Sequence, residues 1–294
     1  MPELPEVETV RAALAPALTG RRFERVRIDD GRLVAPLDPR AVAAELEGER
    51  VAAVERRGKY LVVRFTSDRR LLVHLRMTGS LRHVANGAKA ASDPHIRAVI
   101  RLDDGSHLVY RDVRRFGTWV VLGPSAADAY LGARLGEEPL GRSFTASRLA
   151  ERLARRTIAV KGALLDQRTV AGLGNIYADE ALWRARLHPQ RPAGELDEAE
   201  VRRLHRAVRD ALRLGIARQG ATLRDYARPG GESGSMQHEF RVYGRAGEPC
   251  DRCGTPIEKI RVAGRSASYC PGCQPLYAAS SSSAPVLSRR QSSA

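Results

Sequence analysis

The chain has 294 residues, enough for two or three domains with sizeable cores. Lys and Arg outnumber Asp and Glu 49 to 34, a formal net charge of +15, which points to a polyanionic partner and first of all to nucleic acid. There is no run of about 18 apolar residues, and the first residues are acidic without an apolar segment, so neither a membrane span nor a secretory leader is expected.

Pro2 follows Met1 and is small enough for Met1 to be trimmed, which would leave a secondary amine beside the Glu3 carboxylate. An α-amine titrates near ~7.8 and a lysine near ~10.4, so far more of the former is neutral and nucleophilic at pH 7. Its adduct with a sugar carbon is an iminium that stays charged without a proton. The same two residues also suit a helix start, proline in the first turn and an acid at the positive end of the dipole. Residues 4–18 read as that helix, with Val7, Val10, Leu14 and Leu18 near one stripe and Gly20 as the stop.

Strand patterns follow at 50–55, 60–65, 71–75, 98–102, 107–111 and 118–122, with Asp103-Asp104-Gly105 as a hairpin turn. This first part reads as a sandwich or flattened barrel over 1–135. The next part, 136–235, is helical, with helices expected at 145–155, 161–166, 176–186 and 197–219. Asp197 and Glu200 form a capping box, and a glycine-punctuated double turn runs from Val170 to Asn175. Asn175 also reads as a helix N-cap.

All four cysteines fall in a third part, 236–277, as Cys250-x-x-Cys253 and Cys270-x-x-Cys273. Two such pairs fit one closed, structural zinc ion, in a reducing compartment. Between them, 257–262 and 266–269 read as a hairpin with Gly264-Arg265 at its turn. The serine-rich tail, 278–294, is expected to be disordered. The fold class is thus multidomain α+β.

Six motifs in order carry a family likeness: Met1 to Thr9, Arg57-Gly58-Lys59-Tyr60-Leu61, His74-Leu75-Arg76-Met77-Thr78-Gly79, Arg114-Arg115-Phe116-Gly117, Gly172 to Tyr177, and Gly264-Arg265 before the last cysteine pair. Together, over residues 1–277, they resemble bacterial formamidopyrimidine-DNA glycosylase, which removes oxidised purines. The resemblance implies an N-terminal β-sandwich with a leading helix, a helix–two-turn–helix domain and a β-hairpin zinc finger.

It also implies a reaction. The damaged nucleotide is flipped out of the duplex, and Met77, Arg114 and Phe116 fill the hole. Met and Phe serve as apolar plugs, and Arg hydrogen-bonds the orphaned base. Pro2 attacks C1′ and displaces the base, with Glu3 as acid/base. Lys59 donates a proton during β-elimination, and Arg265 stabilises the phosphate lost in δ-elimination. His95, Arg114, Asn175, Arg156 and Lys161 are implied as DNA contacts, Glu6 as a wall of the base pocket, and 224–239 as a lesion-capping loop. The implied partner is double-stranded DNA carrying oxidised purines or abasic sites, met by a cytoplasmic, nucleoid-associated monomer. Two alternatives stay open: an endonuclease VIII-like enzyme for oxidised pyrimidines, whose branch usually has glycine where this chain has Leu4, and a zinc-finger DNA-binding protein without catalysis.

Overall fold

A computed structural model describes residues 1–85, 93–222 and 233–276. The expected disordered tail and most of the expected lesion-capping loop lie outside the described residues.

The chain opens with helix α1 (Leu4–Leu18), whose Val7, Val10, Leu14 and Leu18 are buried as the stripe requires. Two antiparallel four-stranded sheets follow. One has the order β1 (Phe23–Ile28), β6 (Ile96–Leu102), β7 (His107–Asp112), β5 (Gly79–Val84). The other has the order β2 (Val51–Arg57), β3 (Tyr60–Phe65), β4 (Arg70–His74), β8 (Thr118–Leu122). Phe23, Val63, Phe65, Leu71, Ile100 and Tyr110 fill the space between them. Helix α2 (Pro39–Leu46), capped by Asp38, packs on β1, and α3 (Pro124–Gly132) packs on β4. The sequence patterns miss β1, β5, α2 and α3. β1 and β5 are half-exposed, arginine-bearing strands with little alternation, and α2 and α3 are short.

The second core belongs to α4 (Ala146–Leu153), α5 (Val160–Leu165), α6 (Asn175–Ala185) and α7 (Glu198–Ala217). The Asp197–Glu200 capping box is present. Leu4 joins this core rather than that of the sandwich, and its backbone N–H donates to Gly172 O at 2.9 Å. Gly172 has φ +85°, and a side chain there would collide with Leu4, so the double turn requires glycine for both reasons. The first turn of α1 is therefore planted in the helical domain while its remainder covers the sandwich.

The hairpin β9 (Glu258–Val262) and β10 (Arg265–Tyr269) completes the fold. Its turn is Ala263-Gly264, both at positive φ, as two-residue hairpin turns demand. Arg265 is thus the first residue of β10, one place beyond the expected turn.

Candidate active site and nucleic-acid interface

A cleft of about 500 Å³ opens where the three parts meet; Met1, Glu3, Lys59, His74, Met77, Asn175 and Arg265 are among the residues that line it. Pro2 is buried beside it, between exposed Met1 and buried Glu3.

Glu3 enters the helical domain and caps α6 from outside. Its carboxylate accepts from the N–H groups of Gly174 (2.8 Å), Ile176 (2.9 Å) and Tyr177 (3.4 Å). These are donors that a helix start leaves without partners. The N-cap residue is Gly174, so Asn175 does not have the capping role that its residue type suggested. A Cβ on Gly174 would overlap Glu3, which fixes glycine there. Burial pushes the Glu3 carboxyl up to about 7 against the pull of the Lys59 charge, and nearby Glu6 pushes the same way. It therefore exchanges protons near neutrality.

Lys59 sits at the start of the β2–β3 turn's far side and is 5% exposed. Burial lowers its pKa, while Glu3 and Glu6 oppose the shift and Arg265 and Arg76 reinforce it. The turn is held by Glu138, which accepts from Gly58 N and forms ion pairs with Arg56 and Arg57, each at 3.0 Å. His74 is pushed down to about 3 by burial and by the Arg76 and Lys59 charges, so its imidazole is neutral at working pH; its Nδ1 accepts from Arg76 N at 3.0 Å. Glu6 accepts from Tyr177 Oη and Ala221 N, each at 2.9 Å, tying α1 to α6 and to the segment after α7.

On the opposite wall, Lys161 is fully buried. Its Nζ donates to Asp179 Oδ1 at 2.6 Å and to Ser266 O, and Ser268 N donates to Asp179 Oδ2 at 3.0 Å. This corrects the expectation that Lys161 contacts phosphate: its charge is matched inside the protein, beneath the finger. Arg156 is likewise paired, with Asp166 at 3.0 Å, though partly exposed. Asn175 lines the cleft, with Nδ2 3.5 Å from Ser266 Oγ and Oδ1 without a protein partner. Arg265 is exposed at the cleft.

The remaining expected residues form a rim. Met77 lines the cleft, half-buried. In the loop after β7, Phe116 is 50% exposed, and the Arg114 guanidinium lies over its ring at 4.9 Å. His95, at the entry to β6, is partly exposed and accepts the Asp112 N–H at its backbone oxygen. The sequence reading missed His74, Glu138, Asp112 and Asp179 as parts of this apparatus. His74 stands in a motif already singled out, and Asp179 follows Asn175 by one helical turn. The other two carry no sequence signal.

The four cysteine sulfurs lie within 4.8 Å of one another. Cys253 Sγ is 3.4 Å from those of Cys270 and Cys273, and Cys250 and Cys273 are 3.9 Å apart. Tetrahedral zinc with Zn–S near ~2.3 Å needs sulfurs about 3.8 Å apart, so the cluster fits one zinc ion with no position left open for catalysis.

Three family models cover most of the chain. They are the formamidopyrimidine-DNA glycosylase N-terminal domain over residues 1–119, the H2TH domain of the same enzyme over 135–227, and a zinc finger found in FPG and IleRS over 247–276. A formamidopyrimidine-DNA glycosylase of Symbiobacterium thermophilum is 50% identical over 94% of this chain and 90% of its own length. This chain belongs to the formamidopyrimidine-DNA glycosylase family. The family enzyme of Geobacillus kaustophilus is 48% identical over 93% of this chain and all of its own length (100%). Among solved structures, a Lactococcus lactis FPG variant with a Fapy-dG-containing DNA superposes with a TM-score of 0.87 at 37% identity, covering 94% of this chain and 100% of that one. Lactococcus lactis Fpg with abasic-site DNA gives 0.86 at 37% identity, covering 93% and 100%. The enzymes of this family are DNA glycosylases with AP-lyase activity that excise oxidised purines, and the finger holds one structural zinc. Among the described residues no helix is long and apolar enough to cross a membrane.

Proposed function

We propose that this chain excises oxidised purines from duplex DNA through a Schiff base on Pro2, exposed by removal of Met1, and then cuts the strand by β,δ-elimination. The observation that carries this reading is the meeting of the chain terminus with the cleft, which Met1 and Glu3 line on either side of buried Pro2, with Lys59 and a Glu3 carboxyl raised to about 7 on the same cleft.

The neutral Pro2 amine attacks C1′, the base departs with the electron pair of the glycosidic bond, and the proton shed by the now cationic Pro2 nitrogen goes to the departing base. Protonated Glu3 gives its proton to the ring oxygen, so the sugar opens to an iminium at C1′. Glu3, now a carboxylate, takes the acidified C2′ proton. Those electrons form a C2′–C3′ double bond and expel the 3′ phosphate. Lys59 supplies a proton to the departing group, which its lowered pKa favours. Arg265 faces the second phosphate and stabilises its charge; an arginine is not expected to surrender a proton. Met77, Arg114 and Phe116 occupy the space left by the flipped nucleotide, and His95 and Asn175 contact the backbone. Zinc acts only by shaping the finger. The domains are taken as 1–135, 136–235 and 236–277, and the enzyme as a monomer working in the cytoplasm on the nucleoid, which its +15 charge supports.

Borohydride reduction during incubation with an oxidised-purine duplex tests the reading. A covalent adduct should form, and peptide mapping should place it on Pro2. A crosslink on any other residue, or none with active protein, overturns it. A duplex with an oxidised pyrimidine, run in parallel, should be the poorer substrate.

A further inference from the structure

The residues proposed to fill the hole in the duplex come from two separate loops. Met77 follows β4, and Arg114 and Phe116 follow β7. Neither loop has a core of its own, yet both must present side chains to the same space.

One buried carboxylate joins them. Asp112 is 1% exposed and Thr78, next to Met77, is 5% exposed. Thr78 Oγ1 donates to Asp112 Oδ1 and accepts from Arg114 N at 2.9 Å. Asp112 Oδ2 accepts from Gly117 N at 2.8 Å and from Tyr110 Oη at 3.4 Å. The 113–117 loop is thus held near its start through Thr78 and at its end through Asp112. A second carboxylate, Asp30, grips the middle: Arg115 Nε and a terminal nitrogen donate to it at 2.5 and 2.8 Å. Arg115 has φ +61°, a left-handed conformation that this grip helps to hold. The Tyr110 hydroxyl leaves no room for a side chain at Gly117 and, together with the Leu75 carbonyl, none at Gly79, so both motif glycines flank the same joint.

We infer that Thr78 and Asp112 are positioning residues that lock the Met77 loop and the Arg114–Phe116 loop into one rigid wedge before DNA arrives. Neither touches the reacting atoms. Phe116 is left half exposed while the backbone N–H groups of Arg114 and Gly117 on either side of it are held, the arrangement a wedge needs if it is to enter a base stack without first being ordered. The joint acts only on the cost of extruding the nucleotide.

This inference rests on the proposed void-filling role of Met77, Arg114 and Phe116, and the experiment separates the two. Single-turnover excision is measured on a fully paired lesion duplex and on the same lesion flanked by mismatches, where extrusion costs less. Thr78→Val removes the shared hydroxyl at constant volume. It should slow excision about 10- to 100-fold on the paired duplex, the scale of partly losing an unstacking wedge, and less than about threefold on the mismatched one. Thr78→Ser, which keeps the hydroxyl, should restore excision on the paired duplex. Asp112→Asn still accepts from Gly117 N, so it should show a smaller deficit with the same substrate pattern; it also serves if Thr78→Val folds poorly. Phe116→Ala is the control for the wedge itself. If Phe116→Ala shows no deficit specific to the paired duplex, the void-filling reading fails. If Phe116→Ala shows it and Thr78→Val does not, or if Thr78→Val loses equal activity on both substrates, the positioning role is overturned.

Discussion

Two buried carboxyls flank the first turns of α6, and burial raises both, Glu3 to about 7 and Asp179 to about 6. Their surroundings differ. Glu3 is met by three backbone N–H groups and by lysine charge at longer range, and one side of it opens to the cleft. Asp179 is met directly by the Lys161 ammonium and by a finger amide, and is closed off. The same desolvation serves two ends. Where no cation touches the carboxyl and solvent is near, its proton can move. Where a cation is bonded and the site is sealed, the pair fixes geometry instead, here the strand that begins with Arg265.

Glu3→Gln tests the reactive side and has the largest expected effect. Base release should fall about 10²- to 10⁴-fold, the range for losing a positioned acid/base. The pH dependence gives the sign. The folded pKa of Glu3 lies above its ordinary 4.5, so the acid form persists up to about pH 7 and excision that needs it declines above that. In Glu3→Gln this alkaline limb should vanish from the residual activity. A limb that persists assigns the proton to another group.

Cys250→Ser comes next, on the fixed side. A structural zinc site can supply on the order of 10 kcal/mol to its module, so losing one thiolate should loosen the whole hairpin. Zinc content should fall below one per chain, and duplex affinity should fall at least about tenfold as the finger's cations are lost to binding. Unchanged zinc and affinity would contradict the account of the module.

Lys161→Met is smaller and more specific. It leaves Asp179 buried without its cation, a loss of about 3–5 kcal/mol in unfolding experiments near neutral pH. Protonation relieves the uncompensated charge. Lys161 holds the Asp179 pKa down to about 6, so removing it pushes that pKa higher still; the deficit should grow as pH rises above about 6 and level off at its smallest below that. Lys161→Met combined with Asp179→Leu should recover much of the stability. If the single variant unfolds as the parent does at every pH, the pair does not clamp the finger.

The contrast also explains what the sequence made legible. Zinc ligands, the α1 stripe and the Asp197 capping box depend on local spacing, and all were readable. Pro2, Glu3, Lys59 and Arg265 are nominated by residue type and family likeness, and the fold brings Glu3, Lys59 and Arg265 to one cleft, with Pro2 buried between the lining residues Met1 and Glu3. What stayed hidden depends on contacts between distant segments. A lysine and a threonine look alike whether solvated or buried, so the sequence alone makes Lys161 a phosphate-contact candidate and leaves Thr78 as no more than part of a motif. The Asp179 partner lies 18 residues from Lys161 and the Asp112 partner 34 residues from Thr78. No periodicity links such positions. β1 and β5 escaped because neither strand carries a sustained apolar–polar alternation.

Arg265→Gln has the smallest expected effect and places the boundary between the two sides most sharply. The side chain starts β10, directly before the residue whose carbonyl receives Lys161, so the sealed pair sets where its charge sits. Removing that charge should slow the second strand cleavage about tenfold, the scale of one charge-assisted hydrogen bond. Base release should change less than about threefold, because Pro2 and Glu3 stand on the other wall. Gel separation of the two cleavage products measures both steps in one reaction, and the β-elimination product should accumulate. Lys161→Met, assayed below pH 6 where its fold is least perturbed, should show the same accumulation in weaker form if the clamp acts through Arg265. Should Arg265→Gln instead slow base release as far as Glu3→Gln does, the division of the cleft into a reactive wall and a positioning wall would not stand.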